Sequence, residues 1–146
     1  MPGAEASALV LDASVVVRWY VAEAGRAAAL ALFDEEARWT APRLLLTEVG
    51  SALRRKVVAG DMPAAEATDG LAALIRFVDR GSLRLAADER LAADAFRLAL
   101  LLEHKVPDCL YLALAEAQGA ALATTDLRLA RLAESRGVPV RLVPSA

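Results

Sequence analysis

One cysteine and one histidine are all that the chain of 146 residues contains of either type. Cys109 cannot form an internal disulfide, which points to a reducing compartment. Structural zinc wants about four Cys/His ligands, so these counts exclude it. A lone His104 also excludes a metal-free ribonuclease built on a histidine acid and a histidine base. Aromatic residues make up only 5%. Core packing accounts for Trp19, Tyr20, Phe33 and Trp39 better than base stacking does, given the area each buries. No excess of one charge exists: 17 Lys+Arg minus 19 Asp+Glu gives −2, so bulk charge alone would not hold nucleic acid. Met1–Ser7 lacks a basic region, and the apolar run after it is broken by Asp12 and Arg18. No apolar run approaches the roughly 20 residues that span a bilayer. The expectation is a soluble, cytoplasmic protein without a membrane role.

What is present suffices for a folded domain. Hydrophobic residues are 57% and charged residues 25%, which rules out intrinsic disorder. The length suits one domain, 1–146, that buries its own core without staples. Alanine and leucine are abundant and favour helix. Ala8–Asp12 is short and apolar on both faces, as in a strand buried in a parallel sheet. Ser14 offers a cap for a short helix over Val15–Tyr20, and Gly25–Glu36 reads as a helix with Leu30 and Phe33 on one face. Arg38–Ala41 reads as a strand stopped by Pro42. Arg43–Ala59 is a long helix with a stripe of Leu45, Val49, Ala52 and Leu53 and a basic end, closed by Gly60. Further helices are expected over Ala64–Val78, Asp88–Glu103, Asp108 to Gly119 and Leu127–Ser135, with strands at Ser82–Ala86, Ala121–Thr124 and Val138–Leu142. Strands alternating with helices predict an α/β fold, a three-layer α/β/α sandwich around a mostly parallel sheet.

Four acids stand in apolar settings. Asp12 and Asp126 each follow a strand, Asp108 starts a helix, and Glu48 lies beside the apolar stripe of its helix. All carboxyl ends of a parallel sheet share one edge, where ligand sites gather. Taken singly, each Asp is explained as a helix cap and Glu48 as a solvated residue. Taken together, they can converge. Two carboxylates about 4 Å apart repel by roughly 4 kcal/mol at an effective dielectric near 20, so three would repel by on the order of 10 kcal/mol. The acids are therefore separated, or partly protonated, or share a divalent cation, and hard oxygen ligands select magnesium or manganese.

The segments Leu9-Val-Leu-Asp12-Ala-Ser14, Leu46-Thr-Glu48-Val-Gly-Ser-Ala-Leu53, Asp108-Cys-Leu-Tyr-Leu-Ala-Leu-Ala-Glu116 and Leu122-Ala-Thr124-Thr-Asp126-Leu-Arg-Leu129 resemble, in order and spacing, those of PIN domains. Among these the chain most resembles the VapC toxins of bacterial toxin–antitoxin pairs. The resemblance implies a Mg2+- or Mn2+-dependent endoribonuclease acting on single-stranded or loop RNA. Asp12, Glu48, Asp108 and Asp126 fall on the family's catalytic, metal-binding acids, and Ser14 and Thr124 where hydroxyls support them. Ser51 stands where the family often has Asn, and Pro107 where an aromatic is frequent.

The implied chemistry is in-line attack of water on phosphorus with one or two cations, leaving a 5′-phosphate and a 3′-hydroxyl. Phosphate contacts are expected from Arg18, Arg43, Arg54, Arg55 and Arg128, each in or beside a motif segment. The resemblance also implies a small VapB-like antitoxin, a homodimer, and a toxin–antitoxin hetero-oligomer. A catalytically inactive PIN-like binding module is the alternative. Tyr111 reads as packing, His104 as a cation at a helix end, and Cys109 as an inert core residue.

Overall fold

The computed structural model describes residues 7–145. Residues 1–6 and 146, with most of the N-terminal stretch read for a targeting signal, lie outside the described residues. Five parallel strands, β1 (Ser7–Leu11), β2 (Ala37–Pro42), β3 (Leu83–Ala86), β4 (Ala121–Thr124) and β5 (Val140–Leu142), form one sheet in the order β3-β2-β1-β4-β5. The helices are α1 (Ala13–Val16), α2 (Arg26–Ala31), α3 (Leu44–Val58), α4 (Ala64–Asp79), α5 (Asp88–Leu102), α6 (Val106–Gln118) and α7 (Leu127–Ser135). They cover both faces and complete the expected three-layer α/β/α sandwich. No helix among the described residues is long and apolar enough to cross a membrane.

The central strands are buried on both faces, which is why they read as continuous apolar runs. Val10, Leu11, Leu122 and Ala123 have no exposed surface. Helix α6 lies under β1, β2 and β4 and packs along α5. Every residue from Asp108 to Ala115 on it is buried, so a polar group there must find a partner inside the protein. A cluster of Trp19, Phe33, Trp39 and Phe77, with ring centroids 4.7–6.1 Å apart, runs from buried Trp19 out to exposed Phe33 at the edge of the core. These rings pack on one another, as aromatic area favours.

Several boundaries differ from the sequence reading for local reasons. The first short helix begins at Ala13 and tightens into a 3-10 turn over Val17–Trp19. Ser14 therefore sits inside it rather than capping it. The second is α2 followed by a 3-10 turn over Leu32–Asp34, and Leu30 and Phe33 are both part-exposed. Pro42 does not stop β2; it pairs with Ala86 beyond Thr40, the last residue paired with β1, where its missing N–H costs no bond to that strand. Helix α6 starts two residues before Asp108, with Pro107 in its first turn, where an absent N–H is tolerated. Strand β5 begins at Val140 rather than Val138.

The strand order reverses between β1 and β4. Chain leaving β1 crosses to β2, whereas β4 returns to the other side of β1. A crevice at the carboxyl ends of such a strand pair is where open α/β sheets bind ligands. Asp12 is the residue after β1, and Asp126 lies two residues after β4.

Candidate active site at the β1–β4 crevice

Asp12 leaves β1 with its N–H still bonded to Ala123 O at 3.0 Å, so the ladder fixes its backbone. It occupies the cap position of α1, yet its side chain caps nothing. Its Oδ2 instead accepts from Ser14 Oγ at 2.7 Å and Thr124 Oγ1 at 2.8 Å. Those hydroxyls are held in turn: Ser14 Oγ accepts from the Thr125 N–H at 3.1 Å, and Thr124 Oγ1 from the Asp126 N–H at 3.0 Å. The two strand ends are thus laced together around one carboxylate. Burial pushes the Asp12 carboxyl up to about 6, the two hydroxyls pull it down, and Asp108 and Glu48 add a smaller upward push.

Glu48 is half-buried on α3, and its Oε1 accepts from Tyr111 Oη at 2.6 Å. Tyr111 is fully buried, and desolvation first, then Glu48, pushes its hydroxyl far above its usual range. It stays protonated and acts as a fixed donor. Asp108, third residue of α6, is buried, and its Oδ2 lies 2.7 Å from His104 Nε2 and 3.7 Å from Lys105 Nζ. Asp126 does cap its helix: Oδ1 accepts from the Arg128 N–H at 2.9 Å and the Leu129 N–H at 3.2 Å. Burial first, then Asp108, raises the Cys109 thiol, which keeps it a thiol rather than a thiolate.

All four acids line one open pocket of about 340 Å3, together with Ser14, Arg18, Glu23, Arg55, Lys56 and Lys105. Five carboxylates and four cations meet there. Among the described residues, each of the four predicted acids is engaged through one oxygen only: Asp12 Oδ2, Glu48 Oε1, Asp108 Oδ2 and Asp126 Oδ1. Among the described residues, the second oxygen of each accepts no hydrogen bond from the protein. No three His, Cys, Asp or Glu side chains among the described residues stand close enough to form a ready cation cage. The acids are spaced around the pocket and Asp12 holds its proton more tightly, which are two of the ways to relieve their repulsion. The donor set is oxygen throughout, and its unengaged oxygens fit a hard divalent cation.

A larger hollow of about 690 Å3 runs along β2 and β3, but no carboxylate among the described residues lines it, so size does not mark the candidate site.

A family model described as PIN domain matches residues 9–135. The chain belongs to the PIN domain family. PIN domains are typically nucleases and usually bind divalent metals. The crystal structure of PAE2754 from Pyrobaculum aerophilum is 22% identical, with a TM-score of 0.69 over 96% of this chain and 88% of that one. A domain of a functionally unknown protein from Methanocaldococcus jannaschii is 16% identical, with a TM-score of 0.51 over 97% of this chain and 94% of that one. At those identities the likeness is one of fold. No curated protein sequence matches.

The other residues singled out in the sequence of this PIN domain are placed unevenly. Arg18 lines the pocket but is tied to the Ala24 and Ser14 carbonyls and to Glu23 at 3.8 Å. Gly25, at φ 89°, shapes that loop; a Cβ there would collide with Pro144 O. Arg55 lines the pocket and is exposed. Arg43, Arg54 and Ser51 are exposed and lie outside it. Arg128 lines a neighbouring hollow with Glu103, His104, Lys105 and Asp126. Lys56, Lys105, His104 and Tyr111 are site neighbours that the sequence reading did not assign there. Lys56 is bound to Glu23 at 2.7 Å.

Proposed function

We propose that this PIN domain is a Mg2+- or Mn2+-dependent endoribonuclease that cleaves single-stranded or loop RNA, of the VapC toxin type. The observation that carries the reading is the shared pattern of the four acids: one oxygen of each held by the protein, the other unengaged, all facing one pocket at the strand-order reversal. Asp12, Glu48, Asp108 and Asp126 would hold the cation. When bound, the cation supplies charge for the phosphate and the leaving oxygen and lowers the pKa of water. Ser14 and Thr124 hold Asp12 through one oxygen and Tyr111 holds Glu48 through one, which fixes how those carboxylates are oriented. Buried Asp12 and Asp108 lie deep, and exposed Arg55 and Lys105 stand at the mouth, where an RNA backbone would pass. Phosphate contacts from those cations position a strand without reading its bases.

The toxin assignment rests on the four sequence segments and implies a small protein inhibitor of the VapB type. Such a partner would silence the enzyme by presenting a cation to the acids. Calorimetric titration with MnCl2 tests the metal reading against an inactive binding module. Saturable binding by the wild type, lost in Asp12→Asn and Asp108→Asn, is expected. A folded wild type that takes up no Mn2+ at millimolar concentration would leave the binding module as the better account.

A further inference from the structure

We propose that His104 is a positioning residue that aims the Asp108 carboxylate into the acid pocket. The inference rests on the metal-binding reading above and extends it to a residue outside the four acids. Its ring is 6% exposed, and the Asp108 side chain it meets is 9% exposed. An imidazole this deep costs free energy unless its polar atoms are matched, and Nε2–H finds Asp108 Oδ2 at 2.7 Å.

Asp108 has an alternative that His104 denies it. It is the third residue of α6, where an acidic side chain commonly turns back toward the free N–H groups of its own helix. Lys105, at the cap position, offers no side-chain oxygen to those groups. Asp108 nevertheless makes no such bond among the described residues. Its engaged oxygen is turned to His104, one residue before the cap, and Oδ1 is left over.

The corner that delivers the ring is built for a sharp reversal. Glu103 ends α5 with φ 52° and ψ 48°, a left-handed conformation that disfavours any side chain. The His104 N–H then closes the corner on Ala99 O at 3.1 Å. The chain accepts a strained residue there, and the next one is the buried histidine. Lys105 reaches the same Oδ2 only at 3.7 Å and is 67% exposed, so water screens it and its long side chain fixes no direction. Metal-ligating carboxylates depend on such outer partners, whose loss typically weakens metal binding 10–100-fold.

The test compares Mn2+ affinity, by calorimetry on the whole chain, for the wild type, His104→Leu, His104→Gln and Lys105→Ala, with melting curves confirming that each is folded. His104→Leu fills the space without a donor and is expected to weaken Mn2+ binding at least about 10-fold. His104→Gln places an amide N–H near the position of Nε2 and is expected to restore affinity to within about threefold of the wild type. Lys105→Ala is also expected to stay within about threefold. Should His104→Leu fail to fold, His104→Asn, whose amide stops short of Oδ2, replaces it with the same expected loss. Wild-type affinity in the donor-free variant overturns the inference while leaving the metal reading intact. A folded His104→Gln as weak as His104→Leu, or a Lys105→Ala loss as large, overturns it too, since the effect would then be bulk or charge. Absence of Mn2+ binding by the wild type overturns the metal reading, and the role of His104 with it.

Discussion

Asp12→Asn should make the metal-free protein more stable at pH 7.5 and no more stable at pH 4. Asp12 is buried, and its pKa rises from 3.8 to about 6, burial being the main cause. The folded state therefore binds this proton more tightly than the unfolded chain. That contribution is fully present below the unfolded value, near pH 4, and is lost as pH rises through about 6. A rise from 3.8 to about 6 is worth about 3 kcal/mol, at ~1.4 kcal/mol for each tenfold gain in proton affinity. That figure is an upper limit, because the pocket is open to water. Asparagine carries no charge at any pH, and its carbonyl oxygen still accepts from Ser14 and Thr124. Urea unfolding of both proteins at several pH values between 4 and 8, with chelator present, reads the difference. The gap should open between pH 4 and 6 and plateau above, reaching roughly 1–3 kcal/mol in favour of the variant. A gap independent of pH, or a variant less stable than wild type at pH 7.5, would refute the account of Asp12 as a buried, self-repelled carboxylate. The same variant should lose Mn2+ binding, so stability and function move in opposite directions.

Other consequences are open to simple assays. Mn2+ at 100 times its Kd should stabilise the wild type by about 2.7 kcal/mol, a rise of roughly 5–10 °C in Tm, with the rise absent in Asp126→Asn. An equal rise in that variant would point to binding elsewhere. Tyr111→Phe removes a donor to Glu48 and should cost about 1–2 kcal/mol in chemical unfolding, since a bond to a charged group is lost but half-buried Glu48 can take water instead. No change in stability would mean that the Tyr111 bond contributes nothing in solution. Arg55→Ala should weaken single-stranded RNA binding and flatten its log K against log salt plot by about 0.7, whereas Arg54→Ala, outside the pocket, should not. Matching slopes for the two would remove Arg55 from the RNA path.

Much of the fold was legible because strand and helix carry different periods. The short buried runs around Val10 and Leu122 fit central strands of a parallel sheet, and the stripe of Leu45, Val49 and Leu53 fits a helix face turned to the core. Convergence of Asp12 and Asp126 followed from strand ends sharing an edge, while Glu48 and Asp108 reach the same pocket from helices α3 and α6. Cap chemistry was the ambiguous part: of three Asp residues with a plausible cap role, only Asp126 caps, because Asp12 is captured by the hydroxyls of Ser14 on α1 and Thr124 on β4, and Asp108 is the third residue of α6 rather than its cap and meets His104.

The misplaced neighbours have geometric causes. Glu48, Ala52, Arg55 and Lys56 share a face of α3 and line the pocket, and Arg54 points off that face. That sorting was available from spacing alone. Ser51 is three residues from Glu48, yet it is exposed. His104 was harder to find. It precedes Asp108 by four residues, a helical spacing, but the helix starts only at Val106, and the ring is delivered by the left-handed Glu103 rather than by a helix face. Tyr111 reads as core because it is core; only its hydroxyl reaches Glu48.

The central claim is most directly tested by incubating the purified protein with an end-labelled single-stranded RNA and Mn2+ and determining the chemistry of the product termini. Cleavage that leaves a 5′-phosphate and a 3′-hydroxyl, stopped by a chelator and absent in Asp12→Asn and Asp126→Asn, is the predicted result. Cleavage that survives the chelator or both substitutions, or intact RNA after prolonged incubation with folded, Mn2+-saturated protein, would contradict it.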